Sequence, residues 1–255
     1  YYAGEAVRNM GDVIPAQTAG ALQFSLREPL GVVLLITPWN FPAAIPLWKA
    51  APALALGNTV VLKPAEGSSY VATLLAESAH AAGMPPGTFN IVLGSGAALG
   101  PTLLHAPELR GVSFTGSAAV GAQIAAAGAD RNIRYQTEMG GKNVAIVLRD
   151  ADLAQAAALT AAGAMRFAGQ KCTATSRVVV AREVEDAFLA LLKQQIAGLP
   201  IGPVTDPKAA VGPVISEQSR HSLRHALANA GGDQIVAAPI PGGPEFAHGY
   251  FVEPT

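Results

Sequence analysis

Gly31-Val32-Val33-Leu34-Leu35-Ile36-Thr37-Pro38-Trp39-Asn40-Phe41-Pro42 is the stretch that decides how the rest of the chain is read. Val32 to Ile36 is an unbroken run of β-branched and aliphatic residues, the pattern of a strand buried on both faces. Pro38 and Pro42 fix a turn after it. A helical stretch follows from about Ala43 to Leu56, closed by Gly57-Asn58, and Thr59-Val60-Val61-Leu62 reads as a second buried strand. A strand, a helix and another buried strand in succession mean a parallel pair joined by a crossover.

The alternation continues on the C-terminal side. Ser69–Ala82 reads as a helix ended by Gly83, Asn90–Leu93 as a strand and Ala97–His105 as a helix. Gly111–Phe114 is a strand, Ala118–Ala127 a helix, and Arg134–Thr137 and Val144–Leu148 are strands flanking Gly140-Gly141. A helix from Asp152 to about Phe167 precedes a strand at Arg177–Ala181. Such alternation predicts parallel sheets covered by helices on both sides. Right-handed crossovers then put every strand's C-terminal end on one edge, where ligands bind. From about Leu199 the chain is richer in Pro and Gly and is less readable. On the N-terminal side, residues 5–28 are mixed. Leu22, Phe24 and Leu26 alternate there as in a strand with one face covered.

Composition narrows the functional classes. The 255 residues are 50% hydrophobic and 14% charged, with a formal net charge of −1. That balance offers no basic stripe for nucleic acid or a membrane surface. The longest apolar runs are too short to span a bilayer, and Tyr1–Gly20 lacks the pattern of a secretion signal. The expectation is a cytoplasmic protein. Its single cysteine excludes an internal disulfide.

Five groups are expected at the strand ends. Asn40, between aromatic neighbours, is either a side-chain donor to an oxyanion or a residue that satisfies its own turn. Lys63-Pro64-Ala65-Glu66 follows the second strand. Glu66 there either accepts from ribose hydroxyls or forms a surface ion pair. Phe114-Thr115-Gly116-Ser117 opens a helix with free amides suited to phosphate. Glu138-Met139-Gly140-Gly141-Lys142 offers a general base beside a closely approachable backbone, or an ion pair of Glu138 with Lys142 or an arginine. Gly94-Ser95-Gly96-Ala97-Ala98-Leu99-Gly100 is similar to a dinucleotide fingerprint, with its third glycine one residue late.

The lone cysteine lies in Phe167-Ala168-Gly169-Gln170-Lys171-Cys172-Thr173-Ala174. It is either a small buried hydrophobe or a reactive thiol. Gly169 breaks the helical run, Gln170 and Thr173 make the place polar, and Lys171 favours a thiolate.

Together these segments resemble the aldehyde dehydrogenase superfamily. Thr-Pro-Trp-Asn-Phe-Pro, Lys-Pro-Ala-Glu, Phe-Thr-Gly-Ser, Glu-Met-Gly-Gly-Lys and Gly-Gln-Lys-Cys-Thr-Ala occur in the family's order. Asn40 and Glu138 are separated by 98 residues, Glu138 and Cys172 by 34. The resemblance covers essentially the whole chain. It implies a Rossmann-like parallel-sheet NAD-binding domain over 1–141, with an oligomerisation hairpin near 5–28. Part of a second α/β catalytic domain follows over 142–255.

By the same resemblance Cys172 is the nucleophile on a small-molecule aldehyde, Glu138 the base, Asn40 the oxyanion donor, and Lys49 a lysine near the nicotinamide that helps move protons. Lys63 and Glu66 hold the adenosine ribose and Ser117 meets the pyrophosphate. Ile36, Thr37, Trp39, Ala65, Gly96, Phe114, Gly116, Val120, Met139 and Gly140 line the cofactor groove. The cofactor is NAD, favoured by Glu66, with NADP as the alternative. Phe41, Ile45 and Trp48 match one side of the aldehyde tunnel. The wording around them, with Lys171, looks like 2-oxoglutarate semialdehyde dehydrogenases, which act on a carboxylated aldehyde. A homodimer or homotetramer is expected, with no nucleic-acid or membrane partner and no metal.

The resemblance also implies that parts of the family chain are missing. Among them is a Glu-x-Phe-Gly-Pro-like element expected soon after Tyr250–Thr255. The 255 residues therefore read as part of a longer protein and as inactive alone. Two rival readings stay open from the residues: a cysteine-dependent hydrolase or acyltransferase without nucleotide, and a non-catalytic nucleotide-binding module.

Overall fold

The run Val32–Thr37 is a strand in the computed structural model, which describes residues 1–255. Ahead of it stand helix α1 (Tyr2–Arg8) and a two-stranded antiparallel ribbon, β1 (Val13–Ile14) with β2 (Gln23–Phe24). The ribbon departs from expectation. Leu22, Phe24 and Leu26 are all exposed, so neither face of β2 is covered, and alternation alone has not buried anything there.

From that point strands and helices alternate: β3 (Val32–Thr37), α2 (Ala44–Ala55), β4 (Thr59–Pro64), α3 (Ser69–Ala81), β5 (Phe89–Ile91), α4 (Gly96–His105), β6 (Leu109–Gly116), α5 (Ala118–Asp130) and β7 (Arg134–Met139). The five strands form one parallel sheet of order β5-β4-β3-β6-β7. Period-2 alternation sends Val33, Leu35, Val60 and Leu62 to one face, where they pack with Ala50 of α2 and Ala72 of α3. Leu34, Val112 and Phe114 point to the other face, against Ile124 of α5 and Leu103 of α4. Burial on both faces explains why these strands are continuous apolar runs. Because β3 is central and the chain winds outward in both directions from it, the order reverses between β3 and β6. That is where an open α/β sheet leaves a crevice beyond its strand ends.

The chain divides into two compact units, Tyr1–Met139 and Gly140–Thr255. The second holds β8 (Asn143–Val147), α6 (Leu153–Met165), β9 (Thr175–Val180), α7 (Glu185–Ala197) and α8 (Glu217–Ala228). β8 and β9 pair in parallel, with α6 and α7 packed over one face through Val147, Ala157, Ala161, Phe188 and Leu192. Two differences from the sequence reading stand out. α6 stops at Met165, two residues early, because Phe167, Ala168 and Gly169 have φ of +60°, +53° and +68°. α8 is a regular helix within the less readable segment, and none of its residues is buried.

Candidate functional site

In the first unit the polar residues gather at the sheet's carboxyl edge. Lys63 and Pro64 are the last two residues of β4, Gly116 ends β6, and Glu138 and Met139 end β7. The strand register puts Thr115 beside Glu138 and Ser113 beside Gln136. Side chains two apart on a strand share a face, so Ser113, Thr115, Gln136 and Glu138 occupy one face together. Lys49 reaches this face from α2. Its Nζ donates to Ser113 Oγ at 2.8 Å and to the Phe114 carbonyl at 3.4 Å. Ser113 Oγ donates to Gln136 Oε1 at 2.8 Å, and Gln136 Nε2 donates to Glu138 Oε1 at 3.3 Å. Burial pushes the Lys49 ammonium below the ordinary lysine pKa, and the charge of Glu138 partly offsets this. Glu138 forms no ion pair with Lys142 or any arginine; Gln136 is its partner instead.

The turn after β3 is held by Asn40, whose Oδ1 accepts from the Phe41 N–H at 3.1 Å. Its carbonyl end therefore does turn work. Ile36 and Thr37 end β3. Thr37 is buried, and its hydroxyl is the one buried side-chain oxygen without a hydrogen-bond partner. Trp39 is partly buried beside Asn40, as is Phe41. Ile45 is buried in α2, whereas Trp48 is half exposed and meets Tyr2 edge-on at 6.1 Å.

Lys63 is 6% exposed, and a Cβ on Gly96 would sit 3.5 Å from its Nζ. Burial lowers the Lys63 pKa, and Glu66 raises it in part. Ala65 links β4 to the turn Glu66–Ser68, where Glu66 is exposed and its carbonyl accepts from Ser69 Oγ. Ser117 caps α5, its Oγ accepting from the Val120 N–H at 3.4 Å. Gly116 and Gly121 allow close approach of side chains to the backbone. A Cβ at Gly116 would lie 2.5 Å from the Phe114 ring, and one at Gly121 would lie 2.5 Å from Met139 Sδ. Gly140 opens the second unit with space around it. The Gly94–Gly100 stretch follows the edge strand β5, away from the β3/β6 crevice, so it is not a fingerprint in position.

These residues suit a dinucleotide. A buried cation, an unpartnered hydroxyl, a helix N-terminus and glycines that keep the backbone open face one sheet edge.

In the second unit, Cys172 is exposed, which removes the reading of it as a buried hydrophobe. Its loop is tightly specified. Phe167 and Ala168 hold left-handed backbone that costs non-glycine residues roughly 1–2 kcal/mol each. Gln170 bridges the loop, with Nε2 donating to the Phe167 carbonyl and Oε1 accepting from the Ile215 N–H. Lys171 is partly buried, its N–H bonded to the Gly169 carbonyl. Asn143 Nδ2 donates to the carbonyls of both Cys172 (2.7 Å) and Ala174 (2.9 Å). The β8–β9 register shifts between Asn143 and Val144, at the residue that makes these bonds.

Sequence reasoning passed over Asn143, Gln136, Ser113 and Gln170 as functional side chains. Ser113 carried a signal: it is a polar residue on the mostly buried β6, two positions before Thr115 near the strand's end, whereas Gln136 lies on the exposed β7 and carried none.

An α/β chain with its polar groups at the carboxyl edge of a parallel sheet and one exposed thiol on a strained loop is thus defined. It belongs to the aldehyde dehydrogenase family, whose model matches residues 1–255. It is 42% identical over 260 residues to the alpha-ketoglutaric semialdehyde dehydrogenase of Bacillus subtilis, covering 100% of this chain and 53% of the relative. It is 40% identical over 230 residues to the succinate-semialdehyde dehydrogenase [NADP(+)] GabD of Escherichia coli, covering 90% and 48%. A crystal structure of betaine aldehyde dehydrogenase from Staphylococcus aureus in complex with NAD+ superposes with a TM-score of 0.92 at 33% identity, covering 100% and 51%. The chain spans about half the length of the relatives it matches.

Proposed function

We propose that the protein oxidises an aldehyde to a carboxylic acid with hydride transfer to NAD. The first unit serves as the nucleotide-binding part and the second as the part bearing the nucleophile. The observation that carries this reading is the edge of the five-stranded sheet. There Thr37, Lys63, Ser117 and Glu138 lie at strand or helix ends, and the Thr37 hydroxyl is buried without a partner.

In this reading Lys63 and Glu66 hold the adenosine ribose, and Glu66 disfavours a 2′-phosphate, so NAD is preferred to NADP. Ser117 and the start of α5 meet the pyrophosphate. Gly96, Gly116, Val120, Trp39, Ile36, Ala65, Phe114, Met139 and Gly140 line the groove. Bound NAD supplies the hydride acceptor. The Cys172 thiolate attacks the aldehyde carbon, a C–S bond forms, and the carbonyl electron pair moves to oxygen. The Asn40 amide and the Cys172 N–H stabilise that oxyanion. The C=O re-forms as hydride departs, leaving a thioester on Cys172. Glu138 takes a proton from water as it attacks the thioester, the C–S bond breaks, and acid and thiolate separate. Lys49 assists proton movement near Glu138.

The substrate proposed is a carboxylated semialdehyde such as 2-oxoglutarate semialdehyde. The names of the Bacillus and Escherichia relatives support that class, and Phe41, Ile45, Trp48 and Lys171 are the residues proposed to contribute to its recognition. The protein works as a cytoplasmic homodimer or homotetramer that uses the ribbon region near 5–28. The test is formation of reduced dinucleotide by the intact protein with semialdehydes and with alkyl aldehydes, beside a Cys172→Ala control. Semialdehyde-dependent reduction that vanishes in the control is expected. Asn40→Ala should lower turnover by roughly 10²–10³, and Glu138→Gln by about 10²–10⁴. Ester hydrolysis with no nucleotide reduction would instead mark a cysteine hydrolase.

A further inference from the structure

We infer that Gln136 and Ser113 are positioning residues that tie Glu138 to Lys49 and hold the Glu138 carboxylate in the orientation its role as base requires. This rests on the base role proposed above.

Hydrogen-bond inventory fixes the direction of the link. The Lys49 ammonium has donors only, so Ser113 Oγ must accept from it. The one proton of Ser113 is then committed onward, and the oxygen it meets at 2.8 Å is the carbonyl end of Gln136. The amide end of Gln136 therefore faces Glu138, where it donates to Oε1 at 3.3 Å. Each donor points the same way along the chain, an arrangement in which neighbouring bonds polarise one another. Lys49 and Glu138 form no direct ion pair, so the two side chains between them are what joins the charges. An amide does not pass a proton on in ordinary chemistry, so the link positions the carboxylate and does not conduct protons.

Backbone geometry supports the same arrangement. Ser113 and Gln136 are direct partners in the β6–β7 register, and Glu138 is two residues beyond Gln136 on the same face. Gln136 is exposed and its strand is already paired through the backbone, so the fold does not need its amide. With Oε1 engaged by Gln136, Oε2 is the oxygen to which the role of base falls.

The experiment uses p-nitrophenyl acetate on the intact protein without nucleotide. Acyl transfer to Cys172 forms the thioester and releases nitrophenolate; water then cleaves the thioester, giving its proton to Glu138 and releasing acetate. In Gln136→Leu the first turnover should keep its rate, while later turnovers slow by about three- to tenfold, the range for losing a typical hydrogen bond. Gln136→Asn keeps the amide but is too short to span both partners, so it should slow the same phase. Ser113→Ala should act in the same direction, and Glu138→Gln should slow the later turnovers by about 10²–10⁴. The second readout is the Lys49 side-chain titration by NMR, which needs no catalysis: losing its Ser113 acceptor should shift it downward in Ser113→Ala. Later turnovers unchanged in both Gln136 variants, first and later turnovers falling together, or an unmoved Lys49 titration would each overturn the inference. A wild-type protein that neither acylates nor oxidises aldehydes, yet shows the Lys49 shift, would overturn the catalytic reading instead.

Discussion

Lys63 pays for its position in stability. Burial holds its pKa below the ordinary lysine value of 10.5. Below the folded-state pKa both folded and unfolded chains carry the proton, and the folded chain bears the full penalty of a desolvated charge. Between the folded pKa and 10.5 the unfolded chain binds more protons, so stability rises with pH there. Lys63→Met should accordingly raise Tm at neutral pH by about 1–3 °C, and the gain should shrink as pH approaches the lysine range. Thermal unfolding of both forms from neutral to alkaline pH checks this; a less stable variant at neutral pH would refute it. Asn143 poses the opposite case. Asn143→Ala leaves the Cys172 and Ala174 carbonyls without their donor, and each unsatisfied group costs roughly 1–3 kcal/mol to the extent that it is shielded from water. Turnover of the intact protein should fall about 10- to 100-fold through misplacement of the thiol, while alkylation of the exposed thiol by iodoacetamide continues. Loss of alkylation in a folded variant would mean that Asn143 does more than aim the loop.

Helix α5 shows what an element demands beyond its hydrophobic pattern. Gly128 lies over Tyr135 of β7, where a Cβ would sit 2.5 Å from the ring and 3.2 Å from the tyrosine's own Cβ. Gly100 in α4 has nothing within 4 Å. Alanine gains up to about 1 kcal/mol of helix propensity at either site. Gly100→Ala should keep that gain and Gly128→Ala should lose it to overpacking of about 1–3 kcal/mol, so the two melting temperatures should move in opposite directions. At this scale much was legible. Strands β3, β4 and β6 are continuous apolar runs because both faces are covered, and such runs are conspicuous in a sequence. Lys63, Gly116 and Glu138 were expected at strand ends and lie at strand ends. The Ser113–Gln136 bond was not legible, because it depends on the register between two strands, which neither strand's sequence specifies alone. The left-handed turn at Phe167-Ala168 was hidden for a similar reason. Nothing about those two residue types asks for positive φ, and the Ala210 carbonyl and the Gln170 side chain that brace Phe167 come from the surrounding fold.

For the whole molecule the telling contrast is between neighbouring residues of β8. Val147 is 3% exposed against α6 and α7, whereas Ile146 is 66% exposed and pairs in register with Val179, itself 57% exposed. With Val144 they make an apolar face on a sheet of only two strands, while Val13, Leu22, Phe24 and Leu26 project from the ribbon near the N-terminus. Sequence pattern could not separate these positions, because a strand with one covered face and one with two read alike when both faces are apolar. Contiguous apolar surface of this kind drives association, and two-stranded sheets offer unpaired edges to the same end. The 255-residue chain is therefore expected to self-associate at micromolar concentration, as sedimentation velocity would show. Ile146→Lys with Val179→Lys should shift it toward monomer with Tm within about 2 °C of the parent, since surface changes are usually within ±0.5 kcal/mol. Val147→Lys, one residue away, should unfold the second unit by burying an unpaired charge. If the double lysine variant associates as strongly as the parent, the β8–β9 face is not the contact, and the exposed ribbon becomes the next surface to change.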